Sequence, residues 1–102
     1  EGKKVAPILI IVGSDTRASF PEWRKNYSLA QRIEAEINKK YPGLCIGVRV
    51  KDGRYNQFLH PGSLLLEVGN VNNTTEEAVC AAKLLGEVLG PVVWDLVDSV
   101  EE

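Results

Sequence analysis

Glu67 is the residue that asks for a chemical explanation, because it follows three leucines in the run S-L-L-L-E-V at 63–68. An acid there contributes nothing to apolar packing. A carboxylate at the end of a strand can pass a proton to or from a reacting group as a general acid/base, or it can simply face water. Position alone leaves both readings open. Just upstream, R-Y-N-Q at 54–57 opens a loop dense in hydrogen-bonding side chains. The Arg54 guanidinium could grip a ligand carboxylate through two parallel bonds, or hold Glu67 in place. Asn56 and Gln57 offer paired donors and acceptors suited to amide-rich ligands. An Asx-type turn would account for Asn56 equally well and would leave Gln57 idle.

The elements that must position these groups can be read from periodicity. Residues 63–68 are bounded by Pro61-Gly62 and Gly69-Asn70, which predicts a strand buried on both faces, as in a parallel sheet. Alternation puts Leu64, Leu66 and Val68 on one face, Leu65 and Glu67 on the other. Ligands in open α/β sheets bind beyond the carboxyl ends of strands, where Glu67 would stand. The β-branched run 7–13 (P-I-L-I-I-V-G) predicts a central strand. Ser14, Asp15, Thr16 and Arg17 follow it as a solvated loop on the same edge. A helix is expected over 21–40, with Trp23, Tyr27, Ala30, Ile33 or Glu34, and Ile37 at three- and four-residue spacing and Leu29 widening the stripe. Lys39-Lys40 suit its dipole and Pro42-Gly43 stop it. Residues 44–50 predict a second strand, with Arg49 at an edge or near the site, and 51–53 a turn. No helix separates this strand from 63–68, so their relative order stays open. Thr74-x-x-Glu77 is a capping box for a helix over 75–89, inward at Ala78, Ala81 or Ala82, Leu85, and Val88 or Leu89. Gly90-Pro91 is expected to break it, and 92–100 to restart as a short amphipathic helix with Val93, Leu96, Val97 and Val100 on one side.

Composition sets outer bounds. The 102 residues fit one domain, with 44% hydrophobic and 25% charged residues, as in ordinary globular chains. A net charge of −2 gives no reason to expect nucleic acid or an anionic membrane as partner. The apolar run 7–12 is far below the roughly 20 residues of a membrane helix. The charged opening E-G-K-K looks like a cut point, so a missing targeting segment carries little weight. Cys45 and Cys80 are expected as buried thiols, with a disulfide left open.

Several ordered motifs resemble one family. R-Y-N-Q-x-L-x-P-x-S-L-L-L-E-V-G at 54–69, N-T-T-E-E-A at 73–78, I-V-G at 11–13, W-x-x-N at 23–26 and K-Y-P-G-L at 40–44 are similar to the stage II sporulation protein P family of spore-forming bacteria. These are zinc-dependent N-acetylmuramoyl-L-alanine amidases. The resemblance implies an α/β fold, a mostly parallel central sheet flanked by helices in a three-layer, hydrolase-like architecture, of which this chain is the C-terminal part. It implies Glu67 as general acid/base, with Arg54, Asn56 and Gln57 as substrate-binding residues. It further implies peptidoglycan as substrate, an extracytoplasmic location through an N-terminal anchor, and stage II sporulation protein D as an engulfment partner. Zinc is the expected cofactor, yet His60 is the sole histidine and cannot by itself supply the usual three ligands. The resemblance implies that the metal ligands come from histidine- and glutamate-bearing segments upstream of the strand at 7–13. Phe58 stands where relatives carry histidine, and His60 reads as a loop residue. The rival expectations are a non-catalytic wall-binding module of the same fold and an α/β interaction domain whose Glu67 faces water.

Overall fold

Three consecutive β-branched residues near the start of the chain, Ile10, Ile11 and Val12, favour extended backbone, and in the computed structural model they form the middle of the central strand, β1 (Ile8–Gly13). Residues 5–14, 21–53, 57 and 63–101 are described, with side chains through Leu96. β1 lies between β2 (Cys45–Lys51) and β3 (Leu65–Val68), so the strand order is β2-β1-β3. Helix α1 (Trp23–Lys40) carries the chain from β1 to β2 and makes that pair parallel.

The sheet is mixed, which corrects the expectation of a mostly parallel one. β3 runs antiparallel to β1, with Leu9 opposite Glu67 and Ile11 opposite Leu65. The connection explains this. β2 finishes with Lys51 opposite Gly13, and β3 enters opposite Ile11, so the chain between them has only to pass one end of the sheet. A parallel β3 would have required a return along the sheet's whole length, normally built as a helix.

Ile8, Ile10 and Val12 point to a single face, where they meet Ala30, Ile33 and Ile37 of α1 and Ala81, Leu85, Val88 and Val92 of α2 (Thr75–Glu101). Each fully buried isoleucine contributes about 1.5–3 kcal/mol through water exclusion. Both helices cover this one face, so the described residues make two layers rather than the three expected. β3 is accordingly buried on one face alone: Leu66 and Val68 are half-buried, while Leu65 is 38% exposed and Glu67 is exposed.

Helix α1 buries Asn26, Ala30, Ile33 and Ile37, which selects Ile33 over Glu34 for the stripe; Pro21 and Glu22 form a turn before it. In α2 the inward choices fall on Ala81 and Val88, and Ala82 is exposed. The expected break at Gly90-Pro91 is absent, because α2 runs unbroken through Pro91. Pro91 is exposed, whereas Val88 and Val92 on either side are buried in the core. Packing on both sides of Pro91 thus keeps the helix continuous although proline removes a helix hydrogen bond. No helix among the described residues is long and apolar enough to cross a membrane.

Candidate functional site

Where β1 ends, β3 has not yet begun, and a side chain fills the gap. The Gln57 amide lies against β1, Nε2 donating to the Ile11 carbonyl at 2.9 Å and Oε1 accepting from the Gly13 amide at 2.7 Å. Continuing the β1–β3 register past Ile11 and Leu65 would set Ser63 opposite Gly13, so Gln57 supplies there what a further strand residue would have supplied. Gln57 is 1% exposed. Gln57, expected at a substrate contact, is thus buried against the sheet with each end of its amide bonded to β1. From α1, the fully buried Asn26 donates Nδ2 to the Ser63 carbonyl at 2.7 Å and to the Gln57 carbonyl at 3.4 Å. Ser14 joins the same end of the sheet, its hydroxyl donating to the Lys51 carbonyl at 3.1 Å.

The other end of β3 is fixed as firmly. Gly69 donates its amide to the Pro7 carbonyl at 2.8 Å and adopts φ 78. A Cβ there would stand 3.0 Å from the Ala6 Cβ and 3.1 Å from the Asn73 Oδ1. Only glycine combines that backbone angle with so close an approach. The chain turns through Asn70 and Asn73, the Asn70 amide donating to Asn73 Oδ1 at 2.9 Å. It then enters α2 through the expected capping box: the Glu77 amide donates to Thr74 Oγ1 at 3.1 Å, and the Thr74 amide to Glu77 Oε1 at 2.9 Å.

Glu67 lies between these two pinned ends. It sits on the outer face, opposite Leu9, and its carboxylate has no hydrogen bond or ion pair to other described residues. Because β3 is antiparallel, its carboxyl end lies beside the amino end of β1. Glu67 is therefore not on the edge that carries Ser14 and Gln57, as the carboxyl-end expectation had it. Gln57 bonds to β1 at Ile11 and Gly13, two and four residues beyond Leu9 and so about 7 to 13 Å along the strand, and no hydrogen bond joins it to Glu67. Arg49 is exposed opposite Ile11 and shares the outer face with Glu67. Arg54, Asn56, Phe58 and His60 lie outside the described residues, as do Asp15, Thr16 and Arg17.

A cleft of about 590 Å³ opens near the amino end of β1, lined by Val5, Pro7, Lys40, Tyr41, Leu44 and Leu84 among others. Glu67 does not line it. At its rim the Tyr41 hydroxyl donates to Glu87 Oε1, and Lys40 Nζ stands 3.3 Å from the same oxygen. The Tyr41 bond, reinforced by Lys40, holds the Glu87 carboxyl below its ordinary range, and that same bond raises the Tyr41 hydroxyl. Cys45 and Cys80 are free thiols; burial raises the Cys45 thiol. Among the described residues no three His, Cys, Asp or Glu side chains converge to hold a metal ion.

Asn26 is the residue that sequence reading undervalued. It stood in the W-x-x-N motif without a role, yet it shares the spacing of Ala30, Ile33 and Ile37. A polar side chain in line with an apolar stripe signals a buried hydrogen bond.

A family model, Stage II sporulation protein P (SpoIIP), matches residues 1–90. A relative, stage II sporulation protein P of Bacillus subtilis (strain 168), is 36% identical over 100 residues, covering 93% of this chain. The chain spans 24% of that relative's length. No solved structure matches it at a significant level.

Proposed function

Since this chain belongs to the stage II sporulation protein P family, we propose that it contributes to cutting peptidoglycan, at the amide between the muramic acid lactyl group and L-alanine, with Glu67 as general acid/base. One observation carries the choice of Glu67. Gly13, Asn26, Gln57, Gly69, Asn73, Thr74 and Glu77 all come from the motifs, and each is engaged in holding the fold. Glu67 comes from the same motifs, and among the described residues its side chain holds nothing. A strand pinned at both ends presents it outward.

In this reading Glu67 takes a proton from the attacking water as the water oxygen bonds to the lactyl carbonyl carbon. It returns that proton to the alanine nitrogen as the C–N bond breaks, leaving a lactyl carboxyl group and a free stem amine. Zinc is the proposed cofactor. The described donor set does not fit a zinc site, so its ligands belong to residues other than these. Arg54 and Asn56 are proposed to contact the stem peptide, and Gln57 to set their loop against β1. An extracytoplasmic location through an N-terminal anchor, and work beside stage II sporulation protein D, complete the proposal.

Stem-peptide release from purified peptidoglycan by the full-length polypeptide tests this, comparing the native protein with Glu67→Gln. Turnover should fall by about 100-fold or more. Native turnover by the variant would remove Glu67 from the reaction. The openness of Glu67 and its separation from Gln57 favour a second reading, a wall-binding module without catalysis. Sedimentation with peptidoglycan without stem release by the native full-length protein would establish that reading instead.

A further inference from the structure

We propose that Asn26 is a positioning residue for Glu67: from α1 it fixes where β3 begins and thereby which face of the sheet the carboxylate occupies. The inference rests on the reading of Glu67 as the acid/base, but the bonds that carry it are independent of that reading. Side chains in a strand alternate, so a slip of one residue between β1 and β3 would turn Glu67 onto the helix-covered face and Leu66 outward. β3 is only four residues long, and its ladder alone resists such a slip weakly.

Two contacts at its amino end oppose the slip. Asn26 Nδ2 draws the Ser63 carbonyl toward α1 at 2.7 Å, which takes the chain out of the ladder directly before Leu64 and Leu65. The Gln57 amide occupies the Gly13 N–H, the group a sliding strand would need next. Asn26 also reaches the Gln57 carbonyl at 3.4 Å, so one buried side chain ties together the residue that stops the strand and the residue that starts it. Asn26 is fully buried, and its partners are backbone carbonyls that would lose a donor with it. Gly69 N–H on the Pro7 carbonyl anchors the far end, so release at Ser63 frees one end only.

The experiment compares Asn26→Ala and Asn26→Asp with native protein by two readouts. The first is amide hydrogen exchange over 65–68, with 33–37 of α1 as the internal control for folding. The second is kcat and KM for stem release by the full-length polypeptide. Protection over 65–68 should fall about tenfold or more in both variants while 33–37 stays protected, and kcat should fall about 10- to 100-fold with KM within about twofold. Asn26→Asp adds a signature that packing alone would not give. A buried carboxyl has its pKa raised and, once protonated, can again donate to Ser63, so protection and kcat should recover as pH falls in Asn26→Asp and not in Asn26→Ala. Unchanged protection over 65–68 in both variants overturns the proposal, as does a loss spread equally over 33–37. If Glu67→Gln turns over normally while the Asn26 variants lose protection over 65–68, the Glu67 reading fails and Asn26 still stands as the residue that sets β3.

Discussion

Gln57 and Glu67 attach to the same strand at opposite ends, Gln57 by its side-chain amide at Gly13 and Ile11 and Glu67 by its backbone opposite Leu9. One is buried and bonded, the other exposed and free of described partners. Their roles separate accordingly, and the separation can be measured.

Gln57→Ala should cost about 2–3 kcal/mol in urea unfolding, because a buried amide N–H at Gly13 and a carbonyl at Ile11 each lose a partner. A change below about 0.5 kcal/mol would mean that water replaces the side chain.

Glu67→Gln should leave that unfolding curve within about 0.5 kcal/mol of native, since the side chain is exposed and touches no structural partner among the described residues. A clear loss of stability would assign Glu67 to the fold instead of to chemistry.

Gly69→Ala should destabilise by about 1–3 kcal/mol, because alanine pays for the positive φ and its Cβ meets Ala6 and Asn73. Exchange at 65–68 should rise with it, the Pro7 anchor being loosened.

The Tyr41–Glu87 pair predicts a pH dependence of known sign. Glu87 titrates below its ordinary 4.5 in the folded chain, so its contribution is present above 4.5 and is lost as pH falls through the folded value. Tyr41 titrates above its ordinary 10.0, so its contribution is present below 10.0 and lost as pH rises through the folded value. Tyr41→Phe should flatten both limbs in a plot of stability against pH.

Thiol labelling should be ordered. Cys80 is partly exposed and should react in the folded chain, whereas Cys45 is buried, with its thiol raised by that burial, and should wait for unfolding. Equal rates would place Cys45 nearer the surface than β2 does.

The sequence made some of this architecture plain and hid the rest for physical reasons. Ile8, Ile10 and Val12, the α1 stripe and the Thr74–Glu77 box depend on local spacing, and they appear where spacing predicts. Strand direction depends on a connection whose path no local pattern records, so β3 emerged antiparallel and one-sided. Pro91 is a strong local breaker that tertiary packing of Val88 and Val92 overrides. For the site, the carboxylate of Glu67 was conspicuous by type. The work of Asn26 and Gln57 was not, because bonds to backbone groups 31 to 46 residues away leave no trace in neighbouring residues.

The central place of β1 also has a cost in time. Its I-L-I-I-V run is made before either neighbour, one of which starts at Cys45 and the other finishes at Val68, so during synthesis this apolar, β-branched stretch must wait for the chain through Val68 to emerge. Slow or interrupted translation beyond Lys51 would leave it half-paired, and inclusion bodies nucleated by residues 8–12 are the failure to expect when the chain is overproduced.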